Sequence, residues 1–266
     1  MVHTLKNLNK YKYNKAQRSF LKNGYLIFDI KNEKSLKYLE GTIQKYLYQI
    51  TKKKFNLNNA HKHIPKNKLN SYRLNIINKI NNDKIFDYNY FKLSEEILNE
   101  IIGNEIVMQN EISLSIQLPK DNSSLLAIHA DSWSGNSPYE VVVWVPLVNV
   151  YKTKSMFILR NDKLKKFNIL MVKKIDPIKM FNKFKKDFEF LDIKFGQALI
   201  FNQNLPHGNV VNKTSETRWS MNCRFKSLFS PYNYKKFGEV FKPVNIKPAT
   251  MLGLNYEYPY KTDENF

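Results

Sequence analysis

The chain has 266 residues, 42% of them hydrophobic and 14% aromatic, enough for a packed core and too apolar for general disorder. No apolar run approaches the ~18 residues of a membrane helix, and the single cysteine, Cys223, excludes an internal disulfide and suits a reducing compartment, so a cytoplasmic protein is expected. The formal net charge of +20 comes from 38 Lys and only five Arg beside 33 Asn, the balance an AT-rich genome imposes, and base readout favours Arg, so loose, salt-sensitive polyanion affinity is expected rather than specific nucleic-acid binding.

The first twenty residues are basic but lack the apolar stretch of a secretory signal. GYLIFDI (24–30) reads as a short strand. SLKYLEGTIQKYLYQITKK (35–53) carries Leu36, Leu39, Ile43, Tyr46, Leu47 and Ile50 at helical spacing, with Ser35 as the expected N-cap. His61 and His63 follow in a Lys/Asn-rich loop and read as solvated. Two further helices are predicted over 67–80 and 91–102, and Arg73 on the first reads as a surface helix residue in preference to a substrate ligand.

From residue 105 the period changes. EIVMQNEISLSIQL (105–118) alternates, placing Met108, Ile112, Leu114, Ile116 and Leu118 on one face and Gln109, Glu111, Ser113, Ser115 and Gln117 on the other; Asn110 breaks the apolar side. Strands are predicted over 123–131, 139–150, 155–160, 192–202, 207–211 and 216–229, with helical spacing inside 163–190. Short strands preceded by helices predict a mainly β fold with a helical flank (α+β), a sandwich or barrel.

The predicted strand over 123–131 ends in His129 and Asp131, before a loop of Ser134, Gly135, Asn136 and Pro138. Residues two apart on a strand share a face, about 6.6 Å apart, so imidazole and carboxylate can converge on one borderline divalent metal. His207 lies 76 residues beyond Asp131, after Pro206 and beside Gly208. Two His and one carboxylate form the facial set that leaves three coordination positions open on Fe(II). Eleven residues past His207 begins RWSMNCRF (218–225), with Trp219, Met221, Cys223 and Phe225 on one face and Arg218, Ser220, Asn222 and Arg224 on the other. The second face suits a polar interior in which a guanidinium holds a carboxylate through two parallel hydrogen bonds. Cys223, on the apolar side, should be inert. Trp133 is either a core aromatic or a wall of a substrate pocket.

In this order of residues, H-x-D, a distal His and Arg eleven positions later, the chain resembles the Fe(II)/2-oxoglutarate-dependent oxygenases, and within them the phytanoyl-CoA dioxygenase-like branch. FLKNGYLIFDI, YEVVVWVPLVNVYKTKSMFILRND and FGQALIFNQNLPHGNVVN carry the likeness from about residue 20 to 229, with Gln197 where the family has Asp after the glycine. HADSWSGNSPYE and KTKSM are similar to oxygenases of carbohydrate-biosynthesis clusters.

The resemblance implies a double-stranded β-helix (jelly roll, cupin-like) that binds Fe(II) through His129, Asp131 and His207 and uses 2-oxoglutarate and O2. It implies that Arg218 pairs with the distal carboxylate of 2-oxoglutarate, with Gln117, Ser220 and Arg224 as further contacts, and that the cosubstrate is decarboxylated to succinate while a small polar metabolite, such as a sugar derivative, is hydroxylated. A single domain over 1–266 is expected: helical support over 1–104, the jelly-roll core over 105–229 with a variable insertion at about 163–190, and a C-terminal extension over 230–266. A non-catalytic jelly roll that binds carbohydrate or regulates, and a non-redox metal enzyme of the cupin type, are the alternative readings.

Overall fold

The computed structural model describes residues 12–172 and 176–258. The basic N-terminus up to residue 11, part of the stretch 163–190 and the last residues of the C-terminal extension lie outside them.

α1 (Lys15–Asn23) opens on a reciprocal cap, in which Asn14 and Gln17 each accept the other's backbone N–H through the side chain. It ends at Gly24, whose φ of 76° turns the chain directly into β1 (Tyr25–Asp29). α2 (Glu33–Thr51) buries Leu36, Leu39, Ile43 and Leu47, as their spacing requires. Its N-cap is Asn32, not Ser35: the Asn32 side chain accepts the Ser35 N–H, while the buried Ser35 hydroxyl donates to Asn89. After α3 (Leu69–Asn81) comes a helix the sequence pattern does not predict, α4 (Lys84–Lys92), and the helix expected over 91–102 begins later, as α5 (Glu95–Ile102), with Leu93 and Ser94 buried in the turn between them.

β2 (Ile106–Gln109) and β3 (Ser113–Gln117) replace the single strand expected over 105–118. The break has a local cause. Asn81, at the end of α3, donates to the Ile112 carbonyl and accepts the Ile112 N–H, so a side-chain amide takes the groups a neighbouring strand would have used. The remaining elements are β4 (Val141–Pro146), β5 (Phe157–Leu159), α6 (Leu164–Met171), α7 (Pro177–Lys183), β6 (Phe188–Phe190), β7 (Gln197–Asn202), β8 (His207–Gly208), β9 (Arg218–Ser227), β10 (Phe241–Asn245) and α8 (Pro248–Leu254). The segment 123–131 is not a strand; it is connected to its neighbour by an isolated bridge at His129, and the side chain of Asn209 takes the Leu126 N–H.

The larger sheet runs β1-β7-β4-β9-β2-β10, with β3 also paired to β9, and the smaller runs β6-β5-β8. All pairings within both are antiparallel. One face of the larger sheet packs on the helices: Trp219, Met221, Cys223 and Phe225 are fully buried in the same cluster as Leu39, Ile43, Ile76 and Leu98. Tyr90 of α4 stacks near Phe225 and donates its hydroxyl to the Val143 carbonyl at 3.0 Å, tying helix to sheet. The other face looks across a cavity to the smaller sheet. The fold is a double-stranded β-helix with a helical flank.

Two regions contribute more to the sheets than expected. The insertion supplies β6, and its α6 and α7 build a second apolar cluster of Phe157, Leu159, Phe167, Met180, Phe184 and Phe188 over the smaller sheet. The C-terminal extension supplies β10, the edge strand beside β2. Among the described residues no helix is long and apolar enough to cross a membrane.

Because Leu39 is fully buried between helices and sheet, Leu39→Ala should cost about 2–5 kcal/mol, read as a lower urea midpoint at unchanged slope. Leu74→Ala, at a site 45% exposed, should cost under about 0.5 kcal/mol.

Candidate metal centre and its cavity

The site begins with backbone pairing. The His129 N–H donates to the His207 carbonyl at 3.0 Å, and the His207 N–H donates to the His129 carbonyl at 2.8 Å. Facing residues of such a hydrogen-bonded antiparallel pair lie about 5.5 Å apart at Cα and project to the same side, and the two rings accordingly sit 4.4 Å apart between centroids. Ala130 is extended (φ −119°, ψ 136°), so Asp131 returns to the side of His129 while Ile128 and Ala130 are buried. The expected shared face therefore holds for residues 129 and 131. It does not extend back along the segment, since Leu125 and Leu126 both line the cavity.

One ligand atom from each of His129, Asp131 and His207 lies within 4.8 Å of the others. Both rings are oriented by the same device, a contact from Nδ1 to the carbonyl two residues earlier: Ala127 at 2.8 Å for His129 and Leu205 at 2.9 Å for His207. A carbonyl can only accept, so each Nδ1 carries the proton and each Nε2 lone pair is left for a metal.

The electrostatics suit the same use. Burial, reinforced by His129, pushes the His207 imidazole down to about 4, so it is neutral at pH 7. Burial works to raise the Asp131 carboxyl, but Arg224, 2.8 Å away, and the two imidazoles outweigh it and hold the group below the usual aspartate value. A neutral imidazole and an ionised carboxylate are the forms a metal needs. The donor set, two nitrogens and one oxygen, fits a borderline divalent ion such as Fe(II).

These residues open on a cavity of about 760 Å³ between the sheets. The face of β9 expected to be polar does line it, through Arg218, Asn222 and Arg224. Arg218 is 3% exposed, donates from Nη2 to the Ser115 hydroxyl at 3.0 Å, and has no partner at Nε. Burial draws its guanidinium down to about 10, still charged at neutral pH. Of nine buried side-chain polar atoms lacking a partner among the described residues, four belong to Gln117, Arg218, Ser220 and Arg224. An unpaired buried polar group costs about 1–3 kcal/mol, so the two on the cavity wall, Arg218 and Arg224, mark where a polar ligand completes the structure.

Not every expected residue reaches the cavity. Gln117 pairs in register with Arg218, but it is fully buried and donates to the Val210 carbonyl, off the wall. Ser220 lies opposite Ser115 in register and is also off the wall. Trp133 is neither core nor wall: it is 45% exposed and stacks on Phe167 of α6, with centroids 6.3 Å apart, because Asp131–Ser134 forms a 3-10 turn that swings it outward. His61 bonds Thr217 and the exposed His63 stacks on Phe55, apart from the metal set. Cys223 is buried among apolar side chains and its thiol is pushed up to about 12, which agrees with an inert role.

Three residues escaped the sequence reading. Ser115 was visible as a polar-face residue, without a signal for its bond to Arg218. Arg73, read from the sequence as a surface residue in preference to a substrate ligand, lines the cavity. Gly208 matters for what it lacks, since a Cβ there would stand 2.8 Å from the Leu126 carbonyl and 3.2 Å from that of Ala127.

No protein-family model and no curated protein matches the sequence. Solved structures match in fold. The nickel complex of the non-haem monooxygenase ThoJ is 15% identical with a TM-score of 0.56, covering 85% of this chain and 83% of that one. EctD from S. alaskensis is 13% identical with a TM-score of 0.57 over 89% of each chain. Its structure with 2-oxoglutarate and 5-hydroxyectoine is 12% identical with a TM-score of 0.55, covering 85% of this chain and 82% of that one. At these identities the likeness establishes a shared double-stranded β-helix.

The Ala127 carbonyl that would crowd a new Cβ is the one that orients His129. Gly208→Ala should therefore weaken Zn(II) or Ni(II) binding at least about tenfold, measured by titration against a chelator, while circular dichroism shows the fold retained.

Proposed function

We propose that this chain is an Fe(II)- and 2-oxoglutarate-dependent oxygenase acting on a small polar metabolite. One observation carries the reading. A pre-oriented set of two imidazoles and a carboxylate shares a cavity with a buried, incompletely paired guanidinium.

In this proposal His129, Asp131 and His207 hold the metal through two Nε2 atoms and a carboxylate oxygen. Iron bound there with 2-oxoglutarate and O2 supplies the oxidising chemistry, with succinate and carbon dioxide leaving. Arg218 holds the distal carboxylate of 2-oxoglutarate. The burial of its guanidinium strengthens that pairing, since charges attract more strongly away from water, and the Ser115 hydroxyl steadies its Nη2. Arg224 acts on the ligand set, holding Asp131 ionised and aimed. Gln117 and Ser220 serve as a second row behind Arg218. The phytanoyl-CoA dioxygenase-like branch and a sugar or sugar derivative as substrate are the finer assignments that the motif resemblance supports. One catalytic unit over the whole chain is supported by the contiguous core that joins helices and larger sheet. A reducing, cytoplasmic setting accords with the lone buried thiol.

Anaerobic titration with Fe(II) and then 2-oxoglutarate tests the proposal: a weak visible absorption band that needs both should appear, and admission of O2 should release succinate. Metal-independent 2-oxoglutarate binding, or none, would leave the binding-module reading in its place. Arg218→Ala should weaken 2-oxoglutarate binding by on the order of 2–4 kcal/mol and leave metal affinity nearly unchanged. Arg224→Ala should instead weaken the metal. The reverse pattern would show that the two arginines have been given each other's roles.

A further inference from the structure

The mouth of the cavity carries charge that the proposed chemistry does not use. Lys66 and Asn70 are exposed and Arg73 is half-buried, and all three line the same cavity as the metal set. Arg73 sits one turn beyond Asn70 on α3, and its Nη2 donates to the Asn70 side-chain carbonyl at 2.7 Å. No carboxylate forms an ion pair with Lys66 or Arg73 among the described residues. Among the described residues the only acidic side chain on the cavity wall is Asp131, and Arg224 already answers it. A divalent ion and a 2-oxoglutarate dianion add no net charge, so Arg218 and the two cations at the mouth leave the loaded site positive, and only the two at the mouth lack an assigned partner.

Composition sharpens the point. The chain uses 38 Lys and five Arg, so arginine is the uncommon choice for placing a positive charge, yet Arg73, Arg218 and Arg224 all line this one cavity. A planar guanidinium differs from an ammonium in gripping an oxyanion through two parallel hydrogen bonds. Arg224 is engaged, through Nη2 with Asp131 and through Nη1 with Gln109, and Arg218 is assigned above to the cosubstrate. Arg73 is the third.

We propose that Arg73, aided by Lys66 and oriented by Asn70, forms an oxyanion subsite at the cavity mouth, and that the substrate is anionic, bearing a carboxylate or a phosphate at the end remote from the metal. This deepens the oxygenase reading and rests on it for the word substrate; the subsite itself rests on the side chains at the mouth. A substrate held there presents its far end toward His129, Asp131 and His207, so the subsite selects both charge and orientation. The net charge of +20 favours the approach of such a molecule.

The test is calorimetric titration of the protein, loaded with one equivalent of Zn(II) and saturating 2-oxoglutarate, with inorganic phosphate in one arm and malonate in the other. At least one dianion should bind the wild type, and the tighter arm identifies the group. Arg73→Gln should weaken that binding at least tenfold, and Lys66→Ala less. Lys79→Gln, which removes the same charge from α3 at a residue engaged with Gln49 outside the cavity, should leave it unchanged. Absence of binding by both dianions, binding that survives in Arg73→Gln, or an equal loss in Lys79→Gln overturns the subsite. Titrations of Zn(II) and 2-oxoglutarate into the same proteins report separately on the oxygenase reading. If those fail while dianion binding still depends on Arg73, the subsite stands and the oxygenase reading falls.

Discussion

Two reciprocal backbone hydrogen bonds between His129 and His207 hold the site together. They join segments far apart in sequence and set two imidazoles side by side. Everything near them is arranged so that this bridge can form. Gly208 leaves room for the Leu126 and Ala127 carbonyls, Ala130 stays extended to bring Asp131 back, and the Asp131 N–H is anchored on the Gln203 carbonyl. The site is a consequence of main-chain pairing first and of side-chain chemistry second.

The rest of the molecule makes that pairing affordable. Polar side chains with unpaired atoms on β3 and β9 are destabilising by themselves, and a small sheet of three short strands is marginal alone. Each weakness has a counterpart. The apolar face of β9 is packed against the helices by Trp219, Met221, Cys223 and Phe225, and the smaller sheet is covered by the phenylalanine cluster of the insertion. The described part of the insertion thus packs the smaller sheet, and Phe167 within it stacks on Trp133 outside the cavity.

Charge is distributed by two different rules. Lysine is spread through the chain and mostly solvated, as a compositional bias would leave it, whereas three of five arginines meet in one cavity. Net charge alone points to polyanions in general; the placement of arginine is what the proposal of a small oxyanion at a defined place rests on.

The alternation of 216–229 by itself determined which face of β9 is polar, because a strand has only two faces and Trp, Met, Cys and Phe occupy one of them. The order H-x-D, distal His, Arg likewise marked His129, Asp131, His207 and Arg218 before any coordinates, and the structure brings the four to one cavity. The sequence could not reveal where local patterns yield to partners from elsewhere. Asn81 cuts the strand at Ile112, the segment before His129 is held by Asn209 and one bridge rather than by a strand ladder, a 3-10 turn carries Trp133 outward, and Arg73 reaches the cavity from a helix whose solvent face looked ordinary. Periodicity reports the face of an element. Which neighbour that face meets is decided by contacts between residues distant in sequence, and no local pattern encodes those.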